Sequence, residues 1–211
     1  MILAIDIGNT NIVLGVLDGE NLVYSGRFST HIHQTVEECA MNLYSFLNIH
    51  SIGKIDGAII SSVVPALVST VKGAVKLVTG VHALVVGPGI KTGLSIKIDD
   101  PAQLGADLVV GAVAAKEKYS QPTIIFDLGT ATTGTVLDKD GCCIGGMIAA
   151  GVKSSINALS TGTAQLPQID ISAPKKIIGT NTIDCMKSGT VIGTAVMIDG
   201  FVERFEDELG E

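Results

Sequence analysis

Two short stretches carry the residue types from which phosphate chemistry could be built. In Asp6-Ile7-Gly8-Asn9-Thr10 a carboxylate closes an apolar run and a glycine follows, whose missing side chain lets backbone N–H groups approach a ligand; Asn and Thr then add polar groups. These are the parts of a phosphate cradle with a metal-binding acid beside it. Taken alone, such a stretch equally describes an Asx-type hairpin turn, because Asn, Asp and Gly dominate turns. A second copy, Asp127-Leu128-Gly129-Thr130-Ala131-Thr132-Thr133, repeats the design with three hydroxyls. Two facing hairpins of this kind in a duplicated unit are what a nucleotide clamp between lobes requires. Neither copy contains lysine or fits the G-x-x-x-x-G-K-[ST] pattern of a P-loop. Compensation of a triphosphate's charge must then rest on amides, hydroxyls and a divalent cation.

The elements that would position these residues follow from the pattern around them. Residues 2–19 and 123–141 are copies of one design: an apolar run ending in Asp-x-Gly, a small polar turn, a second apolar run and an Asp-Gly turn. Two β-branched runs joined by a tight Gly turn read as a β-hairpin, and Asp18-Gly19 and Asp140-Gly141 supply the next turn. Thr35-Val-Glu-Glu38 is a capping box ahead of helical apolar spacing at Val36, Cys39, Leu43 and Leu47. Gly57–Ser61 reads as a buried strand, Pro65 as the first turn of a helix, and Ala83–Val86 as another strand, giving the order β-β-β-α-β-α-β. A helix is expected from Pro101 to about Lys118, with Gln121-Pro122 marking the join to the second copy. The last helix, 182–209, carries Gly189, Gly193 and Gly200, which suggests close helix packing across a subunit interface. The expected lobes are 1–117 and 118–211.

Composition narrows the classes. The 211 residues are 46% hydrophobic and 17% charged, which excludes intrinsic disorder. Aromatic residues at 4%, with no Trp, argue against a stacking groove for nucleic acid. A net charge of −7 supplies no field to draw in polyanions, so no nucleic-acid partner is expected and any phosphate must be held locally. Asp6 interrupts the apolar N-terminus, no uncharged run of 18 apolar residues exists, and the cysteines Cys39, Cys142, Cys143 and Cys185 lack metal-ligand spacing. The expectation is a cytoplasmic protein with small buried thiols and no membrane partner.

At this point the chain resembles a family. The two hairpins look like the phosphate loops of the actin, Hsp70 and sugar-kinase superfamily. More narrowly, Ser61-Ser-Val-Val-Pro65, Val86-Gly-Pro-Gly89, Gly93-Leu94, Gly105-Ala-Asp107, Asp127-Leu-Gly-Thr-Ala131, Gly145-Gly146, Thr163–Pro167, Gly179-Thr-Asn-Thr182 and Ser188-Gly189 resemble, in order, type III pantothenate kinase. The resemblance implies an α/β fold of duplicated ribonuclease H-like (actin-like) domains, with mixed central sheets flanked by helices. It implies an ATP- and Mg²⁺-dependent kinase that converts pantothenate to 4′-phosphopantothenate, the first step of coenzyme A synthesis. Asp6, Ile7, Gly8, Asn9, Thr10, Asn11, Ile12 and Val13 would line the ATP phosphates, with Asp6 holding Mg²⁺, and Thr130 would touch ATP from the second loop. Asp127 would bind the monovalent cation, K⁺ or NH₄⁺. Gly105, Ala106, Asp107 and Leu108 would contact pantothenate, with Asp107 as general base. Thr182 would reach the pantothenate site of the neighbouring subunit of a homodimer. On its own sequence context Asp107 equally suits the first turn of a helix, where a carboxylate complements the dipole.

Departures from the family pattern cluster on the pantothenate side. Leu108 stands where the family carries Arg, and Ser95, Lys97 and Ile98 stand where Pro, Arg and Tyr follow Gly-Leu. Ala150 replaces part of a Pro-Gly pair, and Gly111 replaces Asn. Loss of a bidentate cation at a carboxylate site costs about 1.5–3 kcal/mol unless something replaces it, and Lys97 is the available substitute. A nucleotide-binding or regulatory paralogue without activity therefore stays open beside the kinase, as does a kinase for another small hydroxy compound. Relatives continue past the last helix, so a shortened second lobe is expected.

Overall fold

The computed structural model describes residues 1–87 and 90–210; Pro88 and Gly89 of the Val86–Gly89 motif lie outside the described residues. In chain order the elements are β1 (Ile2–Ile7), β2 (Asn11–Asp18), β3 (Asn21–Ser29), α1 (Val36–Ile49), β4 (Gly57–Ser62), α2 (Pro65–Thr79) and β5 (Leu84–Val85). They continue with β6 (Ser95–Ile96), α3 (Ala106–Lys118), β7 (Thr123–Leu128), β8 (Ala131–Leu137), β9 (Cys142–Ala150), α4 (Val152–Gly162), α5 (Thr182–Lys187) and α6 (Gly193–Leu209). Two compact units result: Met1–Thr92 with Ala102–Val110, and Gly93–Pro101 with the chain from Gly111 onward.

The first unit holds a five-stranded mixed sheet in the order β3-β2-β1-β4-β5. Strands β1 to β3 form an antiparallel meander, while β4 lies parallel to β1 and β5 parallel to β4. Alternation along β1 and β2 sends Leu3, Ile5, Ile7, Ile12, Leu14 and Val16 into one core with Leu43 of α1 and Leu67, Val71 and Val75 of α2. The opposite face of this sheet carries Asp6 and Val13, register partners of each other.

Helix α1 begins at the expected capping box: Thr35 accepts from the Glu38 backbone N–H at 3.2 Å, and the Glu38 carboxylate accepts from the Thr35 N–H at 2.8 Å. Thr35→Ala removes one half of that exchange and should cost about 1 kcal/mol, read as a lower midpoint in thermal or denaturant unfolding. Helix α2 starts at Pro65 and ends at Gly80 in the left-handed region, as such a sequence dictates.

The second unit repeats the meander as β7-β8-β9, and β6 pairs parallel to β9, giving the order β6-β9-β8-β7. That pairing relocates the expected division at residue 117. Ser95 and Ile96 join the second sheet opposite Cys142 and Cys143, and α3 passes from one unit to the other between Val110 and Gly111. The expected helix from Pro101 is interrupted as well. Pro101–Gln103 is a 3₁₀ turn, and the α-helix starts only at Ala106.

The C-terminal helix runs from Thr182 to Leu209 with a π-helical segment, Ser188–Ile192, at Gly189. It is long and apolar enough to span a bilayer by length and composition, with 11% of its most apolar window buried within the chain. Among the described residues, no heavy atom beyond the neighbouring backbone of its own helix stands within 4 Å of a Cβ placed at Gly189.

Candidate active site

The carboxyl ends of β1 and β4 bring the first set of site residues together. Adjacent parallel strands in an α/β sheet present ligands at that end. Asp6, half-buried at the end of β1, is the register partner of Ser61 on β4, so both side chains lie on the sheet face away from the core. The Ser61 hydroxyl is buried and makes no hydrogen bond. One step further the Val63 N–H donates to the Ile7 carbonyl at 3.0 Å, and a side chain at Gly105 would stand 3.6 Å from the Val63 methyl. The loop that opens α3 is thus laid against the end of β4, within the same unit as Asp6.

Asp107 occupies the first turn of α3, half-buried, where its carboxylate accepts from the Leu108 backbone N–H at 2.8 Å. Gly105 leaves room for this carboxylate. A Cβ there would collide with the Asp107 carboxylate oxygen, so the absent side chain is the space that carboxylate occupies. Ala106 and Leu108 flank it, both half-buried.

Two features of the first hairpin bear on how it could meet a ligand. The Gly8 N–H donates to the Asn11 carbonyl at 3.0 Å, so it closes the turn and is not offered to a ligand. Ile7 and Ile12 are fully buried in the core, which limits any ligand contact of theirs to the backbone. Asn9 and Thr10 are exposed at the tip. The turn is tied to the end of β3: Thr30 donates through its hydroxyl to the Gly8 carbonyl at 2.7 Å and through its N–H to the Thr10 carbonyl at 2.9 Å.

In the second unit the Gly129 N–H likewise closes its own turn on the Ala131 carbonyl at 2.9 Å. This turn is one residue tighter, with Leu128 opposite Thr132 where the first hairpin pairs Ile7 with Ile12. Asp127 is exposed, and its register partner is Thr133, whose hydroxyl oxygen is buried and without a hydrogen bond. Thr130, exposed, is fixed through its carbonyl, which accepts from the Gly151 N–H at 3.1 Å and the Ser154 hydroxyl at 2.6 Å.

Thr182 is the exposed first residue of α5, whose cap is Asn181 accepting from the Asp184 N–H at 2.9 Å. Lys187, on the same helix, pairs with Asp170 at 2.8 Å and donates to the Ser172 hydroxyl, tying down the preceding loop. That pairing pulls the Asp170 carboxyl down to about 2. A depressed carboxyl stabilises the tie at pH values above its unfolded pKa and loses it as pH falls from about 4 through 2. Amide protection factors across 170–187, which are corrected for the intrinsic exchange rate, should fall over that acid window and stay level between pH 5 and 7.

Lys97, the expected substitute cation, has a partner of its own. Its ammonium pairs with Asp138 at 3.1 Å, which raises its pKa, while Asp138 is held low by the Cys142 backbone N–H and by Lys97. Ser95 lies exposed in β6 and Ile98 is half-buried beyond it.

The thiols correct another expectation. Cys39, Cys142 and Cys143 are buried, but Cys185 is exposed. Burial pushes the Cys39 thiol up to about 11. Iodoacetamide at pH 8 should label Cys185 first and leave Cys39 unmodified in the folded protein, as read by peptide mass spectrometry.

Ser61 and Thr133 are the residues that sequence reasoning left without a role. Strand register sets each hydroxyl opposite a hairpin aspartate: Ser61 faces Asp6 from the parallel strand β4, far along the chain, and Thr133 faces Asp127 from the second strand of the same hairpin. Oxygen donors of this kind suit hard cations. Asp6 with Ser61 fits Mg²⁺ and Asp127 with Thr133 fits a monovalent cation, in donor chemistry.

A mixed sheet carrying an aspartate-ended hairpin, with the same meander repeated in a second unit, defines a duplicated α/β protein. A family model described as type III pantothenate kinase matches residues 2–204. A type III pantothenate kinase of Exiguobacterium sp. is 44% identical over 214 residues, covering 100% of this chain and 84% of that protein. One from Syntrophus aciditrophicus is 43% identical over 212 residues with the same coverage. Among solved structures, a Campylobacter jejuni protein described as a Baf family transcriptional activator superposes with a TM-score of 0.58 at 17% identity, covering 94% of this chain and 78% of that one. At that identity it speaks for the fold alone. The chain belongs to the type III pantothenate kinase family.

Proposed function

We propose that this protein transfers the γ-phosphoryl group of ATP to the primary hydroxyl of pantothenate, giving ADP and 4′-phosphopantothenate. The observation that carries the reading is the convergence of Asp6, Ser61 and the Gly105–Asp107 loop at the carboxyl ends of β1 and β4. Asp107 accepts the hydroxyl proton as that oxygen attacks phosphorus, and the β–γ bridging oxygen departs with ADP. Asn9, Thr10 and Val13 of the first hairpin and Thr130 of the second hold the nucleotide. Asp6 and Ser61 would hold Mg²⁺, and Asp127 with Thr133 would hold K⁺ or NH₄⁺; such ions would supply neutralisation of charge on the phosphates. Thr182 contacts pantothenate in the neighbouring subunit of a homodimer. A cytoplasmic location goes with this activity.

The test is ADP release by purified protein with Mg·ATP, with and without pantothenate, in K⁺ or NH₄⁺ buffer and again in Na⁺. Pantothenate-dependent release that needs K⁺ or NH₄⁺ supports the assignment. One observation favours a second reading, a nucleotide-binding paralogue without turnover: Leu108 removes a cation from the substrate loop, and Lys97 is paired to Asp138. Nucleotide binding with no ADP release under any of these conditions would select it.

A further inference from the structure

Among the described residues, the face of the first sheet away from its core carries on β3 a cation, Arg27, that neither the sequence pattern nor the family comparison assigns. Register places Arg27 of β3 opposite Val13, Val13 opposite Asp6, and Asp6 opposite Ser61. These four side chains form one row across four strands. The row lies on the face away from the core, because its neighbours Gly26 and Phe28 turn the other way: a Cβ at Gly26 would strike the Phe46 ring of α1, and Phe28 packs on the core cluster. With strands about 4.8 Å apart, the Arg27 Cα lies about 10 Å from that of Asp6. Val13, between them, is 38% exposed and too small to block an extended guanidinium. Arg27 is itself exposed and takes part in none of the ion pairs among the described residues. The end of its strand is bonded to the turn at Gly8 and Thr10 through Thr30. Arg27 and the hairpin tip therefore share one rigid support.

We propose that Arg27 is a binding residue for the polyphosphate of the nucleotide. Its guanidinium reaches over Val13 to donate to phosphate oxygens held at the Asp6 end of the row. This deepens the kinase reading and rests on it. Both phosphate hairpins lack lysine, and a planar guanidinium supplies paired donors matched to phosphate oxygens. Charge compensation then does not fall to amides, hydroxyls and Mg²⁺ alone.

Calorimetric titration of the full chain with Mg·ATP, AMP and pantothenate tests it, using wild type, Arg27→Ala, Arg27→Lys and Arg204→Ala. Arg204 is the control for charge, since it is the other arginine and its guanidinium donates to Gly200 of its own helix. The expected result is Mg·ATP binding about 10- to 150-fold weaker in Arg27→Ala, and intermediate in Arg27→Lys. AMP and pantothenate affinities should be unchanged, and the dependence of ATP affinity on salt should be shallower. Arg27→Ala within twofold of wild type for Mg·ATP overturns the assignment, and so does an equal loss for AMP or in Arg204→Ala. Absence of Mg·ATP binding by the wild type overturns the kinase reading and this assignment together. An unchanged melting midpoint of Arg27→Ala without ligand separates a loss of contact from a loss of fold.

Discussion

Asp107→Asn should lower turnover by about 10²- to 10⁴-fold while leaving Mg·ATP affinity near that of the wild type. The amide preserves the shape of the side chain and can still accept from the Leu108 N–H, so the first turn of α3 is kept. What it loses is the capacity to take a proton. The remaining rate reflects positioning and charge stabilisation, which other residues supply. Single-turnover kinetics with saturating ATP and pantothenate measures the step directly, and unchanged turnover would remove Asp107 from the mechanism. Gly105→Ala is the companion variant. Its methyl group enters the space of the Asp107 carboxylate and should impair turnover with the acid still present. The pair separates the proton acceptor from its placement.

Gly151→Ala should be among the damaging single-methyl changes in the second unit. Gly151 caps α4 with ordinary extended dihedrals, so alanine is not opposed by backbone preference. The obstacle is space. A Cβ there would meet the Gly129 carbonyl and stand 2.7 Å from the Thr130 carbonyl oxygen, backbone that the Thr130 and Ser154 contacts already pin. Overpacking of this kind costs about 3 kcal/mol, which for a domain of this size lowers Tm by roughly 6–12 °C. The same methyl at Gly53, where nothing stands within 4 Å, should be neutral or slightly stabilising. Paired thermal melts give the comparison, and equal midpoints would mean that the Gly129–Thr130 turn yields easily.

The duplicated hairpins, the capping box at Thr35 and the Pro65 helix start could be read along the chain because each is a local pattern with its own physical cause. Other features depend on partners far away in sequence. Ser95–Ile96 is a two-residue strand with no periodicity to announce it, and only its pairing with Cys142–Cys143 assigns it to the second sheet. The inward direction of Ile7 and Ile12 was implicit in strict alternation from Asp6, yet a contiguous ligand-lining segment from 6 to 13 passes over it. The Gly8 amide illustrates a different limit. A glycine that frees backbone for a ligand and one that lets a turn close on itself have the same letter, and only the acceptor at Asn11 decides between them. Asp107 was visible as a residue and as a helix-start acid, but the clearance that Gly105 leaves for it needed coordinates.

Strand β7 ends its sheet, with β8 on one side and no strand on the other among the described residues. Its sequence, Thr-Ile-Ile-Phe-Asp-Leu, is apolar for most of its length and carries its single charge near the end. Unpaired backbone along such a border is a template for another extended chain. Lysine and proline, the usual deterrents against recruitment, are absent from it. Helix α6 lies beside β7 and shields part of it; concentrated or partly unfolded samples should self-associate where the border is left open, and a charge introduced on β7 is the place to begin if solubility limits handling.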